Sequence, residues 1–147
     1  CGLGWFYVFG HVFGFLIVSH TRTRENPEYD FVNKSMNWSS AQQYCRQNFK
    51  DLATVRNETD WQRIYVKTDS QNSWIGLYRD SNISWSDGSS FSFNKTRFSL
   101  LLWPNYAQCG FYYKPDTAGW RFESCTYAYA FVCYSFKPGD FQITSFK

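Results

Sequence analysis

Histidine is nearly absent from this chain, and its scarcity excludes zinc as a structural element. The only two histidines, His11 and His20, lie near the start, and no cysteine pair has the C-x-x-C spacing. Structural zinc sites draw their ligands from closely spaced cysteines and histidines. The cysteines of this chain are therefore not expected to bind zinc.

Groups suited to catalysis are missing in the same way. A nucleophilic serine or cysteine needs a neighbouring base, and no such pair stands in a recognisable context in this sequence. The aspartates and glutamates are scattered and form no paired-acid signature. We therefore predict that the protein is not an enzyme and uses no cofactor.

The chain also has little excess of positive over negative charge. The net charge is +3, and part of it comes from Arg22 and Arg24, outside the region of predicted helices and strands. No run or stripe of Lys and Arg is present elsewhere, and such a stripe usually marks a nucleic-acid-binding surface. Nucleic acid is therefore not expected among the partners.

Aromatic residues, in contrast, are abundant. They make up 22% of the 147 residues. A chain of this length fits one domain with its own core, and buried rings contribute large apolar areas to such a core. Most of the rings are therefore expected to serve packing.

The cysteines form an odd set of five. In an oxidising compartment four of them would pair and Cys1 would be left over, either joined to another chain or removed before secretion. Four cysteines allow several pairings, and cysteine count alone does not choose among them.

N-x-S/T sequons also indicate the secretory pathway. N-linked glycans are attached to exposed asparagines of secreted chains. The candidate asparagines are Asn33, Asn37, Asn57, Asn82 and Asn94. We therefore predict an extracellular glycoprotein, secreted or at the cell surface.

The two ends of the chain differ in character from its middle. Residues 1–19 are almost entirely apolar and are a signal-peptide remnant, a membrane anchor or a segment with no native role. Membrane contact is expected only through such an anchor. Residues 20–28 are polar and contain Pro27, which is typical of a linker, and residues 135–147 are a predicted tail.

Hydrophobic periodicity predicts helices followed by strands. Ser39 and Gln42 have the spacing of a capping box, and helical spacing continues to about Asn48. Asn57 is predicted to cap a second helix that ends near Asp69. Strands are predicted at 29–33, 74–78, 83–85, 109–113, 120–125 and 130–134. This order indicates the α+β class.

The motifs, taken in order, resemble those of the C-type lectin-like domain. The helix sequence WSSAQQYC ends at Cys45, and DLATV, WIGL, WSDG and FVC follow it along the chain. The resemblance spans residues 29–134 and implies two helices packed on antiparallel strands, with a long disulfide-tethered loop. It also implies that Cys45 pairs with Cys133 and that Cys109 pairs with Cys125.

The resemblance also locates the family's calcium-dependent sugar site. Sugar-binding members hold calcium through a Glu-Pro-Asn or Gln-Pro-Asp tripeptide, a Glu before the third cysteine and a Trp-Asn-Asp triplet, because calcium prefers many hard oxygen ligands. Here the corresponding segments are Trp103-Pro104-Asn105, Gln108 before Cys109, and Trp120-Arg121-Phe122. Only Asn105 keeps a ligand oxygen, so calcium is not expected at this site.

The residues at these positions remain candidates for binding a ligand without calcium. They are Trp103, Asn105, Gln108, Arg121 and Glu123. The neighbouring loop is apolar at Phe98, Leu100, Leu101, Leu102 and Tyr106. It either packs onto the domain or contacts a partner protein.

These observations predict a non-catalytic extracellular recognition module with a receptor-type role. Carbohydrate is the ligand class that the resemblance implies, and an extracellular protein or another calcium-independent ligand is favoured by the residues themselves. The alternatives are a secreted protein that acts through its surface, such as an ice-binding or matrix-packing protein on the same frame, or a degenerate copy that binds nothing.

Overall fold

The computed structural model describes residues 26–69, 71–93, 105–113 and 119–137. The elements are β1 (Pro27–Met36), α1 (Trp38–Asn48), β2 (Asp51–Leu52), α2 (Glu58–Lys67), β3 (Ser73–Arg79), β4 (Ile83–Trp85), β5 (Ala107–Tyr112), β6 (Trp120–Ser124) and β7 (Tyr129–Phe136). The predicted α+β class is confirmed. β2 was not predicted, because two residues are too few to show alternation.

Contacts separate the chain into two units. Pro27–Ser135 holds both helices and nearly all of the strands. The other unit consists of Cys1–Asn26 and Phe136–Lys147, of which only residues 26, 136 and 137 are described. The predicted apolar segment at 1–19, Cys1, most of the predicted linker and most of the predicted tail therefore lie outside the described residues.

One seven-stranded sheet runs through the described unit in the order β1–β7–β3–β5–β6, with β2 beside β7 and β4 beside β3. The pairs β2–β7, β3–β4, β3–β5 and β5–β6 are antiparallel. β3 and β7 run parallel. The expectation of antiparallel strands is wrong for this pair. The chain between β3 and β7 is long enough to cross back to the end of the sheet at which β3 begins, so that β7 runs in the same direction.

One face of the sheet, called the α1 face below, packs against α1. Trp74 of β3 and Phe111 of β5 meet there edge-to-face, with ring centroids 5.6 Å apart. Ala41 and Cys45 of α1 and Phe131 of β7 belong to the same buried cluster. Ala41 and Cys45 are four positions apart, so they lie on one side of the helix.

The opposite face, called the α2 face, has its own aromatic core. Trp61 of α2 packs against Tyr112 and Trp120, with centroid distances of 4.9 and 5.6 Å. Trp85 of β4 lies 5.6 Å from Trp120. Tyr112 follows Phe111 directly, and successive strand residues point to opposite faces. The abundant rings therefore fill two cores, one on each side of the sheet.

The first helix begins earlier than the capping box predicts. Asn37 is the N-cap, and its Oδ1 accepts a hydrogen bond from the Ser40 amide at 2.8 Å. The predicted cap at Ser39 is wrong because Trp38 is docked on the sheet, where its indole N–H donates to the Ile75 carbonyl at 2.9 Å. Gln42 donates to Ser86 Oγ at 2.7 Å, and so its side chain is directed to the β4 end.

The second helix follows its prediction closely. Asn57 is the N-cap, and its Oδ1 accepts a hydrogen bond from the Asp60 amide at 2.9 Å. Just before the cap, Arg56 Nε donates to the buried Asp60 carboxylate at 2.8 Å. The ion pair and the cap both end on Asp60 and so stabilise the start of α2.

Two disulfides close the fold. Cys45 is joined to Cys133 and Cys109 to Cys125, as the resemblance implies. The second bridge ties the β5–β6 pair to the start of α1, because the Cys125 carbonyl accepts a hydrogen bond from the Trp38 amide at 3.1 Å. β5 fits closely on β3 beside this bridge, where a Cβ on Gly110 would lie 2.7 Å from the Leu77 carbonyl oxygen.

Candidate functional site

An open cleft of about 930 Å³ lies where the end of β3, β4 and the start of β5 meet. Arg79 ends β3, Asn105 precedes β5 and Gln108 belongs to it. Phe91 contributes a ring to the cleft and also packs 6.3 Å from Trp120 of the α2 face. The remaining described lining residues are Asp80, Ser81, Asn82, Ile83, Ser84, Gly88, Ser89 and Ser90.

A bulge in β5 brings Gln108 into the cleft. Ala107 pairs with Ser124 and Cys109 with Glu123, so two residues of β5 advance while β6 advances by one. Gln108 is the extra residue, and such a residue is left out of the ladder and redirected. Its exposed amide therefore joins that of Asn105, one of the other predicted ligand-binding residues.

Arg79 is a cationic residue of the cleft that the sequence did not single out. Its guanidinium carbon lies 5.0 Å from the centroid of the Phe122 ring, a cation–π arrangement. Burial lowers the pKa of Arg79 from its usual value, and arginine still keeps its charge in proteins. In the sequence, Arg79 could have been recognised as a candidate because it is the first charged residue after the apolar run WIGLY, at the end of a predicted strand.

Phe122 stands where the family's triplet carries its acid. Its side chain is only 1% exposed, and Arg79 lies over the ring. The ring alternates with Arg121 and Glu123 along β6 and lies on the α2 face. Position 122 therefore supplies a buried ring with a positive charge beside it.

Arg121 and Glu123 lie on the α1 face, away from the cleft. They alternate along β6 with the buried Trp120 and Phe122, so their side chains point the other way. Arg121 lies 4.0 Å from the centroid of the Tyr113 ring. Burial raises the pKa of Tyr129, and the Glu123 carboxylate adds to this rise, which places Glu123 near Tyr129.

The predicted ligand-binding residues are thus not brought to one place. Asn105 and Gln108 line the cleft, while Arg121 and Glu123 lie on the opposite face of the β5–β6 pair. Trp103 and the apolar loop residues Phe98, Leu100, Leu101 and Leu102 lie outside the described residues. Tyr106 is described, and its side chain is 65% exposed.

The cleft offers few of the groups that calcium prefers. Among the described lining residues, three amides, those of Asn82, Asn105 and Gln108, and one carboxylate, that of Asp80, lie beside the Arg79 guanidinium. Asp80 Oδ1 already accepts a hydrogen bond from the Asn82 amide at 2.9 Å. Within the described ranges, no group of three or more His, Cys, Asp or Glu could hold a metal ion. These residues fit a calcium ion poorly, since its sites usually combine several anionic oxygens.

Four of the five sequon asparagines are described, and each of them is exposed. They are Asn33 in β1, the caps Asn37 and Asn57, and Asn82 in the β3–β4 turn. The fifth, Asn94, lies outside the described residues. Among the helices that the structure describes, none is long and apolar enough to cross a membrane.

Comparison with known proteins identifies relatives of both sequence and fold. The chain is 31% identical over 113 residues to the secretory phospholipase A2 receptor of Bos taurus, covering 66% of this chain but 8% of that protein. It is 29% identical over 114 residues to snaclec echicetin subunit beta of Echis carinatus sochureki, covering 71% of this chain and 86% of the relative. The chain thus spans less than a tenth of the receptor and most of the snaclec subunit.

The fold is shared with a Ca²⁺-dependent type II antifreeze protein in its Ca²⁺-free form. The TM-score is 0.67, with 76% of this chain and 94% of the other covered, at 19% identity. At this identity the likeness concerns the fold alone. The family model of the C-type lectin domain matches residues 34–135, which include both helices and all four disulfide-bonded cysteines. The chain therefore belongs to the C-type lectin domain family.

Proposed function

We propose that this protein is a non-catalytic extracellular recognition module that binds its ligand without calcium, at the cleft between β3, β4 and β5. The observation that carries the proposal is the buried Phe122 ring beneath the Arg79 guanidinium, 5.0 Å away, where calcium-binding relatives carry an acid. A fixed positive charge opposes a divalent cation at this place.

The chemistry of the cleft suits a neutral or acidic polar ligand. The amides of Asn105 and Gln108 each offer a donor and an acceptor, and the serine hydroxyls do the same. Arg79 adds donors in a planar fork that matches carboxylate or sulfate groups. Phe91 supplies an apolar surface against which a sugar ring or side chain packs. Glycans and polar protein segments both present such groups.

An extracellular location is part of the proposal. Two disulfides persist in oxidising compartments, and the described sequon asparagines are all exposed. Receptor and snaclec relatives support the same assignment by family. The absence of histidine from the part of the chain that the structure describes supports a binding role over catalysis.

Binding in the absence of calcium is the decisive test. The secreted chain would be applied to a glycan array and to a panel of purified receptor ectodomains, in millimolar calcium and in EDTA. We expect the same ligand to bind in both buffers. Arg79→Ala or Gln108→Ala should weaken binding by about tenfold or more, because each loses hydrogen bonds worth roughly 1–3 kcal/mol.

The matched control is Arg121→Ala, which removes an arginine from the α1 face and should leave binding unchanged. Binding that disappears in EDTA, or a melting temperature that rises with calcium, would overturn the proposal. Thermal hysteresis of the solution with no array or ectodomain signal would support the surface-acting alternative instead.

A further inference from the structure

Asn82 lies at the cleft and belongs to the sequon Asn82-Ile83-Ser84. The other described sequon asparagines do not line this cleft, since Asn33 lies in β1 and the remaining two cap the helices. Asn82 is therefore the described position from which an attached group would reach the proposed binding site directly.

The turn around Asn82 is firmly held. Its amide donates to Asp80 Oδ1 at 2.9 Å, and the Asp80 amide donates to the Asn82 carbonyl at 3.0 Å. Directly beyond the turn, Ile83 of β4 pairs with Arg79 of β3. Anything attached to Asn82 therefore starts from a fixed point beside Arg79.

The Asn82 side chain is suited to modification. It is exposed, and the hydrogen bonds of Asn82 within the described part of the chain are made by its backbone, so its side-chain Nδ2 is not engaged there. In contrast, the Oδ1 atoms of Asn37 and Asn57 are engaged as helix caps. Ser84, the hydroxyl residue of the sequon, lies in β4 opposite Tyr78 and also lines the cleft.

We propose that an N-linked glycan on Asn82 covers the cleft and regulates access to it. The oligosaccharide comes from a lipid-linked pyrophosphate donor in the secretory pathway. A bond forms between its anomeric carbon and Asn82 Nδ2, the bond from that carbon to the pyrophosphate oxygen breaks, the nitrogen releases one proton and the lipid pyrophosphate leaves. N-glycans are bulky and strongly hydrated, so this one shields Arg79 and Phe91.

Two glycoforms with different binding follow from this geometry. The form without the Asn82 glycan exposes the whole cleft, and the glycosylated form admits only ligands that reach past the sugar. This inference rests on the proposed extracellular function, because glycan transfer requires the secretory pathway and shielding matters only if the cleft binds a ligand.

Glycopeptide mass spectrometry of the chain secreted from animal cells tests the attachment. We expect the peptide containing Asn82 to carry an N-glycan, and N-glycosidase in heavy-oxygen water should convert Asn82 to labelled aspartate. An unmodified Asn82 peptide throughout the secreted protein would overturn the proposal.

Hydroxyl-radical footprinting tests the shielding with no ligand present. Labelling of Phe91 should rise severalfold in Asn82→Gln, and equally in Ser84→Ala, which removes the sequon but keeps the asparagine. Asn33→Gln is the matched control and should leave Phe91 labelling unchanged, as should Ser84→Thr, which preserves the sequon. Tyr65, exposed on α2, reports general labelling. Equal melting temperatures show that the variants are folded.

Footprinting and ligand binding separate the two proposals. Unchanged Phe91 labelling in both glycan-free variants overturns the shielding, whatever the array shows. Increased Phe91 labelling together with an array and ectodomain panel that stay blank for Asn82→Gln supports the shielding and counts against the proposed recognition function.

Discussion

Asp87 connects three separate segments through one carboxylate. Its Oδ2 accepts hydrogen bonds from Thr54 Oγ1 at 2.8 Å and the Tyr134 hydroxyl at 2.9 Å, and its Oδ1 accepts one from the Ser89 amide at 2.9 Å. Burial acts to raise the pKa of Asp87, but hydrogen bonds from Ser89, Thr54 and Tyr134 outweigh it and lower the pKa from its usual 3.8. The ionised form is therefore the stabilising one.

This lowered pKa predicts a stability that weakens in acid. The carboxylate contributes fully above the unfolded-state pKa, and the contribution is lost as the pH falls through the lower folded-state value. Asp87→Asn should cost about 1 kcal/mol at pH ~7, allowing for partial exposure. Urea unfolding at neutral pH and near pH ~3 should show the penalty shrinking in acid. The exposed Asp69→Asn is the control, and a penalty that is equal at both pH values would contradict the assignment.

At the scale of single elements, both helices start at asparagines that are also sequons. The sequence contains suitable capping residues at Asn37 and at Ser39, and local spacing favoured Ser39 through its capping box. The hydrogen bond from Trp38 to the Ile75 carbonyl fixes Trp38 as the first helical residue and so makes Asn37 the N-cap. The cap of α2 at Asn57 is predictable from the sequence, because here the local signal alone places the start of the helix and the structure agrees with it.

The cap at Asn57 gives a prediction that does not depend on glycosylation. Asn57→Ala and Asn57→Asp both remove the sequon, but only Asp keeps a side-chain oxygen for the Asp60 amide, now 2.9 Å from Asn57 Oδ1. The Asp variant should be more stable than the Ala variant by about 1 kcal/mol. Denaturant unfolding of the two variants measures this difference directly. Equal midpoints would mean that the cap contributes nothing.

At the scale of the whole molecule, the two disulfides constrain very different lengths of chain. Cys45 and Cys133 are separated by 88 residues, and Cys109 and Cys125 by 16. A bridge stabilises mainly by restricting the unfolded chain, so the longer loop gains more. The long bridge joins α1 to β7 in the α1-face core, and the short one holds the β5–β6 pair beside the cleft.

Replacing each cystine with a pair of alanines should therefore give unequal losses. Without Cys45–Cys133 the free energy of unfolding should fall by about 4 to 5 kcal/mol, and without Cys109–Cys125 by about 3 kcal/mol. Urea unfolding of both variants under oxidising conditions compares them, each serving as the other's control. A larger loss for the short bridge would show that local packing, and not chain entropy, dominates.

Much of the fold was readable from residues that act locally or in known combinations. The α+β class, the cap at Asn57 and the WIGL strand depend on neighbouring residues and on motif order, which are visible in one dimension. The parallel β3–β7 pair and the short β2 were not readable, because strand partners distant in the chain are chosen by packing.

The candidate site likewise has features that can be read from the sequence and features that depend on the fold. The residue types at 120–122, and with them the expectation that calcium does not bind there, follow from the sequence alone. The meeting of Gln108 with Asn105 and Arg79 in one cleft, with Arg121 on the other face, could not be read from the sequence and depends on the folded chain. The reason is the register of β5 on its neighbours and the bulge at Gln108, because a shift of one residue sends a strand's side chains to the opposite face.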